Sequence, residues 1–415
     1  MKKNILRLLF LITITSLTTL LYANNSEYNS IKGLVIDSDN KKPLPFATVV
    51  ITNSDIATTT NSEGVFMIKF PKKNANENLV ISFIGYEKLE ISLADLDKDE
   101  NIISLVPVSI SLSEIPVFPT DVEQLISMIL QRRELNYQKD SENYRAFYRE
   151  SIRKNKKYIS LTEAVINVNY PGYNSFRRER VNLVIGRKNT DYGKLDTLAF
   201  KLQGGPLSAL MLDVMRRPYL IFDESEINNY KFNIESIDRK DDQLLYLISF
   251  TPKLINNTDL FSGRYYVDMK SLSIISADFE MDVSDKNAAA KLFIKKKPLM
   301  AKVYPTKAVY KVTYKNIDDV WALSYVRADV NFKINWRRKL FNSNYFTTIE
   351  MVMTDKILNE NLNSKTSDRL RMNIIMEEAV EGFLDDDFWG DYNIIEPEQP
   401  IENAINRIKK NLSNY

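Results

Sequence analysis

The chain has 415 residues, with 56 basic and 54 acidic side chains, and it contains no cysteine and no histidine. The missing cysteine excludes disulfide bridges, thiolate chemistry and lipid attachment to a cysteine behind a leader. The missing histidine removes the commonest general base and the usual zinc ligand, which excludes zinc carboxypeptidases and Ser-His hydrolases.

The first residues have the three-part layout of a secretory signal peptide. A basic start precedes an apolar stretch over residues 5–21, and Ala23 offers a small residue for cleavage. We therefore predict a signal peptide over residues 1–23, the alternative being an uncleaved membrane anchor. Without this segment the chain keeps 53 basic and 54 acidic residues, a balance that points neither to nucleic acid nor to an anionic membrane.

Residues 30–108 alternate apolar and polar side chains in short runs, as half-buried strands do. Phe66, Ile68 and Phe70 share one face of such a strand, and Gly64 marks a turn, where glycine can adopt a positive φ. The spacing of these runs predicts a small β-sandwich.

This segment resembles the carboxypeptidase-like regulatory domain, a transthyretin-like β-sandwich common in exported proteins of Bacteroidetes-type bacteria. The motifs that carry the resemblance are Gly33, Pro43-Leu44, Ala47-x-Val49, Thr60-Asn61, Gly64-Val65-Phe66 and Ile84-Gly85-Tyr86. The resemblance implies an accessory module without a catalytic role. It therefore indicates where the protein resides more than what it does, and an unrelated sandwich is the alternative.

Residues 109–140 are predicted to form a proline-containing linker followed by an amphipathic helix. The stretch from Thr120 to Glu123 matches a capping box. The apolar residues that recur behind it at helical spacing are Val122, Leu125, Ile126, Ile129 and Leu130. We expect this helix to pack on the main domain, and binding of a partner is the alternative.

The pattern over residues 141–395 predicts one large antiparallel β domain with few helices. Strands such as residues 145–152 and 243–250 place charged or hydroxyl side chains on one face and apolar ones on the other. The hairpin at residues 263–280 resembles hairpins of the periplasmic lipoprotein-carrier family. This resemblance implies a sheet bent around an apolar cavity, plugged here by an apolar helix over residues 206–217. A solid core of sheet and helices is the alternative.

The end of this domain, residues 388–397, looks like a recurrent ending of Bacteroidetes proteins that carry this N-terminal module. We expect its aromatic residues Phe388, Trp389 and Tyr392 to fix it to the main sheet rather than to bind a ligand. Residues 396–415 are predicted to form a helical tail. The apolar face of that helix holds Ile401, Ala404, Ile405 and Ile408.

No motif in the sequence predicts a catalytic, cofactor or metal site. An acidic turn at residues 385–387 with Asp391 could ligate Ca²⁺, but consecutive side chains rarely converge on one ion, so we interpret it as solvated. A pair of carboxylates could hydrolyse glycosides without histidine, although no window isolates such a pair among 54 acidic residues.

One basic run, Arg337-Arg338-Lys339 behind Trp336, could contact lipid phosphate or acidic glycans. The preferred interpretation is an exposed strand end, where charged side chains are ordinary.

These features predict a mainly β, exported and non-enzymatic protein of the periplasm or outer membrane. Its role would be binding or assembly with an apolar ligand or a protein partner, without cofactor, metal or nucleic acid. Membrane association is conceivable, although we expect no lipidation and no transmembrane helix in the mature chain. The alternatives are a small outer-membrane β-barrel and a histidine-free hydrolase of envelope glycans. The sequence does not identify the ligand-binding residues or the oligomeric state.

Overall fold

The computed structural model describes residues 27–108, 121–155, 157–190, 201–216, 227–240, 243–253, 261–297, 299–317, 319–337, 342–357, 369–382 and 388–412. Ala23 with the signal peptide, most of the linker, the turn at residues 385–387, and Arg338 with Lys339 lie outside the described residues. The chain is mainly β, as predicted, with an N-terminal sandwich and one large, almost wholly antiparallel sheet.

Seven short strands build the N-terminal sandwich: β1 (Tyr28–Asp37), β2 (Thr48–Ile51), β3 (Ala57–Thr59), β4 (Val65–Pro71), β5 (Asn78–Ser82), β6 (Leu89–Ser92) and β7 (Asn101–Leu105). One sheet has the order β4-β1-β7 and the other has the order β3-β2-β5-β6. Two 3₁₀ turns, Lys72–Asn74 and Leu93–Asp95, connect strands. Phe66, Ile68 and Phe70 are buried in the core as the period of two predicts.

The main sheet is formed by eleven strands: β8 (Glu142–Lys154), β9 (Lys157–Tyr170), β10 (Arg180–Thr190), β12 (Tyr230–Lys240), β13 (Gln243–Pro252), β14 (Phe261–Asp268), β15 (Ile274–Met281), β17 (Ala301–Ile317), β18 (Val320–Trp336), β19 (Ser343–Lys356) and β20 (Glu381–Gly382). Their order is β12-β13-β14-β15-β17-β18-β19-β8-β9-β10-β20, and only β20 pairs in parallel. Two further strands, β11 (Lys201–Leu202) and β16 (Ile294–Lys296), pair with each other.

The described helices are α1 (Val122–Gln131), α2 (Arg133–Asn136), α3 (Gly205–Leu210), α4 (Lys286–Phe293), α5 (Met376–Ala379) and α6 (Gln399–Leu412). The predicted stripe of α1 is buried against the main domain at Leu125, Ile126 and Ile129. The predicted capping box begins at Thr120, whereas the observed cap is one position later. The Asp121 side chain accepts a hydrogen bond from the Gln124 backbone N–H. None of the described helices has the length and apolar character needed to cross a membrane.

The helix after Gly204 is shorter than the predicted helix over residues 206–217. Helix α3 carries Pro206 in its first turn, as expected, but it ends at Leu210, and the chain continues in turns to Met215. Leu207, Ala209 and Leu210 are buried in the large core between the sheet and the helices. The same side of the sheet is filled by fully buried rings, which include Tyr148, Tyr170, Phe250, Tyr265 and Tyr314.

We predict that Gly64→Ala destabilises the sandwich by at least about 2 kcal/mol. Gly64 has a φ of 75°, and an added Cβ would lie 2.8 Å from the Val35 carbonyl oxygen and 2.9 Å from Pro43 Cβ. Gly390→Ala is the matched control, because Gly390 has a φ of 46° with no neighbouring atom within 4 Å of an added Cβ. Urea unfolding followed by circular dichroism should show the larger loss for Gly64→Ala, and equal losses would contradict the steric explanation.

Candidate functional site

A row of polar side chains crosses the whole main sheet on the face opposite to helices α1 and α3. Each member is the direct cross-strand partner of the next, so the strand register places all of them on one face. This charge row consists of Asn233, Ser249, Arg264, Asp278, Lys311, Arg327, Glu350, Arg149, Glu163, Arg187 and Glu381.

The central members of the charge row form a buried ionic cluster. Glu163 is fully buried and bridges two guanidinium groups, with Arg149 Nη2 at 2.7 Å and Arg187 Nε at 2.8 Å from its oxygens. Arg327 Nη1 donates to Glu350 Oε1 over 3.0 Å. Burial alone would raise the pKa of Glu163, but Arg149 and Arg187 outweigh that effect and hold its pKa below the ordinary value. The Glu163 carboxylate therefore stays ionised.

The tail segment, residues 388–396, covers this cluster. Trp389 is buried and packs edge-on against Phe147, with 5.4 Å between ring centroids, and the Arg187 guanidinium lies 4.8 Å from the Trp389 ring. Arg149 Nη2 also donates to the Ile395 carbonyl oxygen over 2.7 Å. The predicted attachment of the tail segment to the main sheet is thus confirmed at Trp389.

The tail segment also holds the sandwich in place. The Asn393 side chain accepts from the Lys69 backbone N–H at 2.7 Å and donates to the Lys69 carbonyl at 2.9 Å. Thr58 Oγ1 donates to the Ile394 carbonyl oxygen, and Asn61 Nδ2 donates to that of Glu396, both over 3.2 Å. Sandwich, tail segment and main sheet are therefore joined through specific hydrogen bonds.

A cleft of about 700 Å³ opens where these three parts meet, and we call it the tail cleft. Its walls come from the sandwich, from the ends of β8 and β19, and from residues 388–393. Three of the residues that line it carry a buried polar atom without a hydrogen-bond partner in the described structure: Asn74 Oδ1, Arg145 Nε and Trp389 Nε1. The walls of the tail cleft thus contain one acceptor and two donors, all three buried, beside aromatic rings.

A buried lysine lies beside the tail cleft. Lys315 is only 4% exposed, and its Nζ donates to the backbone carbonyl oxygen of Asp55, a residue that lines the cleft, over 3.2 Å. Burial lowers the pKa of Lys315 to about 8, although the carboxylates of Asp55 and Asp355 oppose this change. The ammonium group therefore adds positive charge near the cleft at neutral pH.

The more exposed end of the charge row lines a second depression of about 580 Å³, bounded by Phe46 of the sandwich. Here the charges are paired with each other: Arg264 Nε lies 2.7 Å from Glu235 Oε2, and Lys311 pairs with Asp278. Arg327 bonds to Asp329 and lies under the Phe46 ring at 4.8 Å from its centroid. We call this depression the row groove. The charged side chains that line it are already paired with one another.

On the helix-covered face, Asp213 is enclosed by tyrosines. Its carboxylate accepts bonds from Tyr170, from Tyr173 at 3.1 Å and from Tyr314 at 2.7 Å. The backbone N–H groups of Met215 and Arg216 donate to Asp213 Oδ1. Burial raises the pKa of Asp213, and the tyrosine hydroxyls oppose this rise. With five donors, this carboxylate anchors the chain behind α3 and has a structural role.

The sequence-predicted candidates are separated in the structure. Asp391 lines the tail cleft, whereas Arg337 lies at the far end of β18, where its backbone N–H donates to the Met300 carbonyl oxygen. Within the described ranges, no group of three or more acidic side chains is placed to hold a metal ion. Sequence reasoning missed the charge row and the polar atoms of the tail cleft. The only signal in the sequence for the charge row was the alternation of charged and apolar side chains within single strands.

Comparison with known proteins adds information on the sandwich. Residues 31–117 match the family model of the CarboxypepD_reg-like domain, which confirms the resemblance of the motifs. No match is found among curated proteins. The family match covers the sandwich and does not extend to the main domain.

Several solved structures resemble the chain at low similarity. A DUF1329 family protein from Desulfovibrio piger is 15% identical over 59% of this chain and 97% of that chain, with a TM-score of 0.22. A LolA superfamily protein from Nitrosomonas europaea is 10% identical over 58% of this chain and 98% of that chain, with a TM-score of 0.18. Lipovitellin is 6% identical over 58% and 28% of the two chains, with a TM-score of 0.24.

We predict that Glu163→Gln lowers the free energy of unfolding by about 3–5 kcal/mol, because it leaves two buried guanidinium groups without their shared counter-charge. The control is Glu235→Gln at the exposed end, where the side chains of Arg264 and Glu235 are 56% and 34% exposed and we expect a loss below about 1 kcal/mol. Urea unfolding measures both. A small loss for Glu163→Gln would show that the buried cluster is not needed for stability.

Glu150 should make the stability of the protein depend on pH. Burial raises its pKa from 4.5 to about 7, although the hydrogen bond from Tyr148 opposes the rise. Between these pH values the folded state binds more protons than the unfolded state, so stability falls as pH rises through this window, by about 3 kcal/mol. Urea unfolding at pH 4.5, 6 and 7.5 should show this decline weakened in Glu150→Gln. An unchanged decline in the variant would assign the effect to another group.

Proposed function

We propose that this chain is a non-enzymatic binding protein of the cell envelope and that the tail cleft is its ligand site. The observation that carries this proposal is that Asn74 Oδ1, Arg145 Nε and Trp389 Nε1, three buried atoms without a hydrogen-bond partner in the described structure, all belong to residues that line one cleft. Buried polar atoms nearly always have partners, and each orphaned one costs about 1–3 kcal/mol. A ligand that reaches these buried atoms through movement of the side chains in the cleft wall would recover that free energy on binding.

The lining of the tail cleft favours a polar ligand of the saccharide class. The orphaned atoms need both donors and acceptors from the ligand, which hydroxyl and N-acetyl groups provide. Tyr28, Phe388 and Tyr392 add ring surfaces to the same cleft, and Arg145 lies 5.1 Å from the Tyr392 ring centroid. A volume near 700 Å³ falls within the range of small-ligand sites.

The geometry gives less support to the apolar ligand expected from the sequence. A carrier-type cavity would lie between the sheet and the helices. In the described part of the chain, that region contains the buried rings of Tyr148, Tyr170, Tyr265 and Tyr314 together with the Asp213 carboxylate. An apolar ligand would have to displace these side chains and break the bonds of Asp213.

Two further points support the non-enzymatic and exported character of the protein. The chain offers no histidine or cysteine, and the guanidinium groups beside Glu163 and Glu350 hold the carboxylates of the buried cluster in ion pairs. The three-part leader over residues 1–23 supports export. Amino-terminal sequencing of the protein from the periplasmic fraction should read from Asn24, and a chain that starts at Met1 would contradict cleavage.

Binding can be tested with tri-N-acetylglucosamine, which carries hydroxyl, amide N–H and carbonyl groups. Isothermal titration calorimetry should detect a complex, and both Trp389→Phe and Asn74→Ala should raise the Kd about fivefold, since each removes one hydrogen bond worth about 1 kcal/mol. Trp389→Phe keeps an aromatic ring in place. Trp321→Phe, a substitution of a buried tryptophan outside the cleft, is the control and should not change the Kd.

The result that would overturn the saccharide proposal is an absence of heat from tri-N-acetylglucosamine, or a Kd that neither cleft variant changes. Stoichiometric binding of the apolar dye 1-anilinonaphthalene-8-sulfonate to the folded protein would instead favour the apolar-ligand function. Cleavage of the saccharide during the titration, detected by mass spectrometry, would contradict the non-enzymatic character.

A further inference from the structure

The turn between β16 and β17 exposes apolar side chains to solvent. Leu299 is fully exposed, Leu292 is 48% exposed and Met300 is 42% exposed. Single exposed apolar residues are common on protein surfaces. Here Leu299 and Met300 are neighbours in the turn, so together they form a local apolar tip, and Leu292 lies at the end of the preceding helix.

Lysines surround this apolar tip. Lys291, Lys295, Lys297 and Lys302 are all exposed, and none of them forms an ion pair with a residue that the structure describes. Lys296, in the same stretch, pairs with Glu378 at 2.9 Å. We call residues 291–297 and 299–302 the lysine hairpin, after the turn between them and not after strand pairing, since β16 pairs with β11. The positive charges of these four lysines are not paired within the described structure, whereas the basic and acidic side chains of the whole chain nearly balance.

The strand end singled out in the sequence lies next to the lysine hairpin. Trp336 is the cross-strand partner of Ala301, and the Arg337 backbone N–H donates to the Met300 carbonyl oxygen over 3.0 Å. The structure therefore brings a half-buried tryptophan and an arginine to the same edge as Leu299 and Met300. Apolar tips flanked by cations, with tryptophan at their border, are the composition that suits the interface between lipid headgroups and acyl chains.

We propose that the lysine hairpin docks this protein on an anionic phospholipid surface, with Leu299 and Met300 inserted among the headgroups. The lysines and Arg337 contact lipid phosphates, and each cation near an anionic surface contributes about fivefold to the partition coefficient. Because the net charge of the whole chain is small, the attraction is local and short-ranged, and salt weakens it. This surface is separate from the tail cleft, so the proposal holds whichever ligand the cleft binds.

The test is vesicle flotation with the purified protein from Asn24 onward, which contains every described residue. Vesicles of phosphatidylglycerol and phosphatidylethanolamine should carry the protein upward, whereas phosphatidylcholine vesicles should not, and 0.5 M salt should release it. Leu299→Ser should reduce the bound fraction severalfold, and the double variant Lys295→Ser/Lys297→Ser should reduce it by about 25-fold.

Matched controls separate docking from general loss of charge or apolar surface. Ile102→Ser removes a 71% exposed apolar side chain from the sandwich, and Lys98→Ser removes an exposed lysine there; neither should change flotation. Circular dichroism verifies that every variant is folded. Trp336 should shift its fluorescence on vesicle binding, and this shift should be lost in Trp336→Phe.

The proposal is overturned if the folded protein does not float with anionic vesicles, or if the hairpin variants float as well as the unsubstituted protein. Equal flotation with phosphatidylcholine, insensitive to salt, would contradict the role of the lysines. Binding to soluble polyglutamate without any binding to vesicles would assign the lysine hairpin to an acidic protein partner instead.

Discussion

The ionic cluster beneath the tail segment is the interaction on which the rest of the architecture depends. Moving a carboxylate or guanidinium out of water costs several kcal/mol, and a buried ion pair offsets this only if its remaining donors and acceptors are also satisfied. Glu163 meets this condition with two guanidinium groups. Arg149 meets it in part: its Nη2 also donates to the Ile395 carbonyl oxygen, while its Nη1 has no hydrogen-bond partner in the described structure and lies 4.0 Å from Glu350 Oε2. The tail segment therefore supplies one of the bonds of the buried cluster, and it is held by the charges that it covers.

This mutual dependence explains the arrangement of the accessory sandwich. The tail segment presents one side to the charge row and the other to β3 and β4, through the bonds of Thr58 to Ile394 and of Asn393 to Lys69. The sandwich is thereby placed over the sheet, and the tail cleft forms along the line where the parts meet. Asn74 of the sandwich and Arg145 of the sheet line one cleft because the tail segment, together with direct contacts such as that of Phe46 with Arg327, holds the two domains together.

The sequence predicted which face of a strand each side chain lies on, but it did not predict which strands lie next to each other in the sheet. Alternation along residues 145–152 placed Arg149 opposite to the apolar side chains, and the aromatic content of residues 388–397 predicted the contact of Trp389 with the sheet. Burial of that charged face was not predictable, because it depends on a register that pairs Arg149 with Glu350, 201 positions away in the chain. Sequence patterns could not predict the unpartnered atoms of the tail cleft either, because these atoms belong to three separate segments of the chain.

The order of charges along the row matches its burial, because the central part is buried and the part towards β14 is more exposed. From Arg327 through Glu350, Arg149 and Glu163 to Arg187 the signs alternate strictly, so each buried group faces opposite charges across both neighbouring strands. The alternation fails once, where Lys311 lies directly opposite Arg327, and like charges in that position are destabilising. Each of these two cations draws an acidic partner of its own, Asp278 or Asp329. Hydration reduces the remaining repulsion, and the row groove opens to solvent at this break.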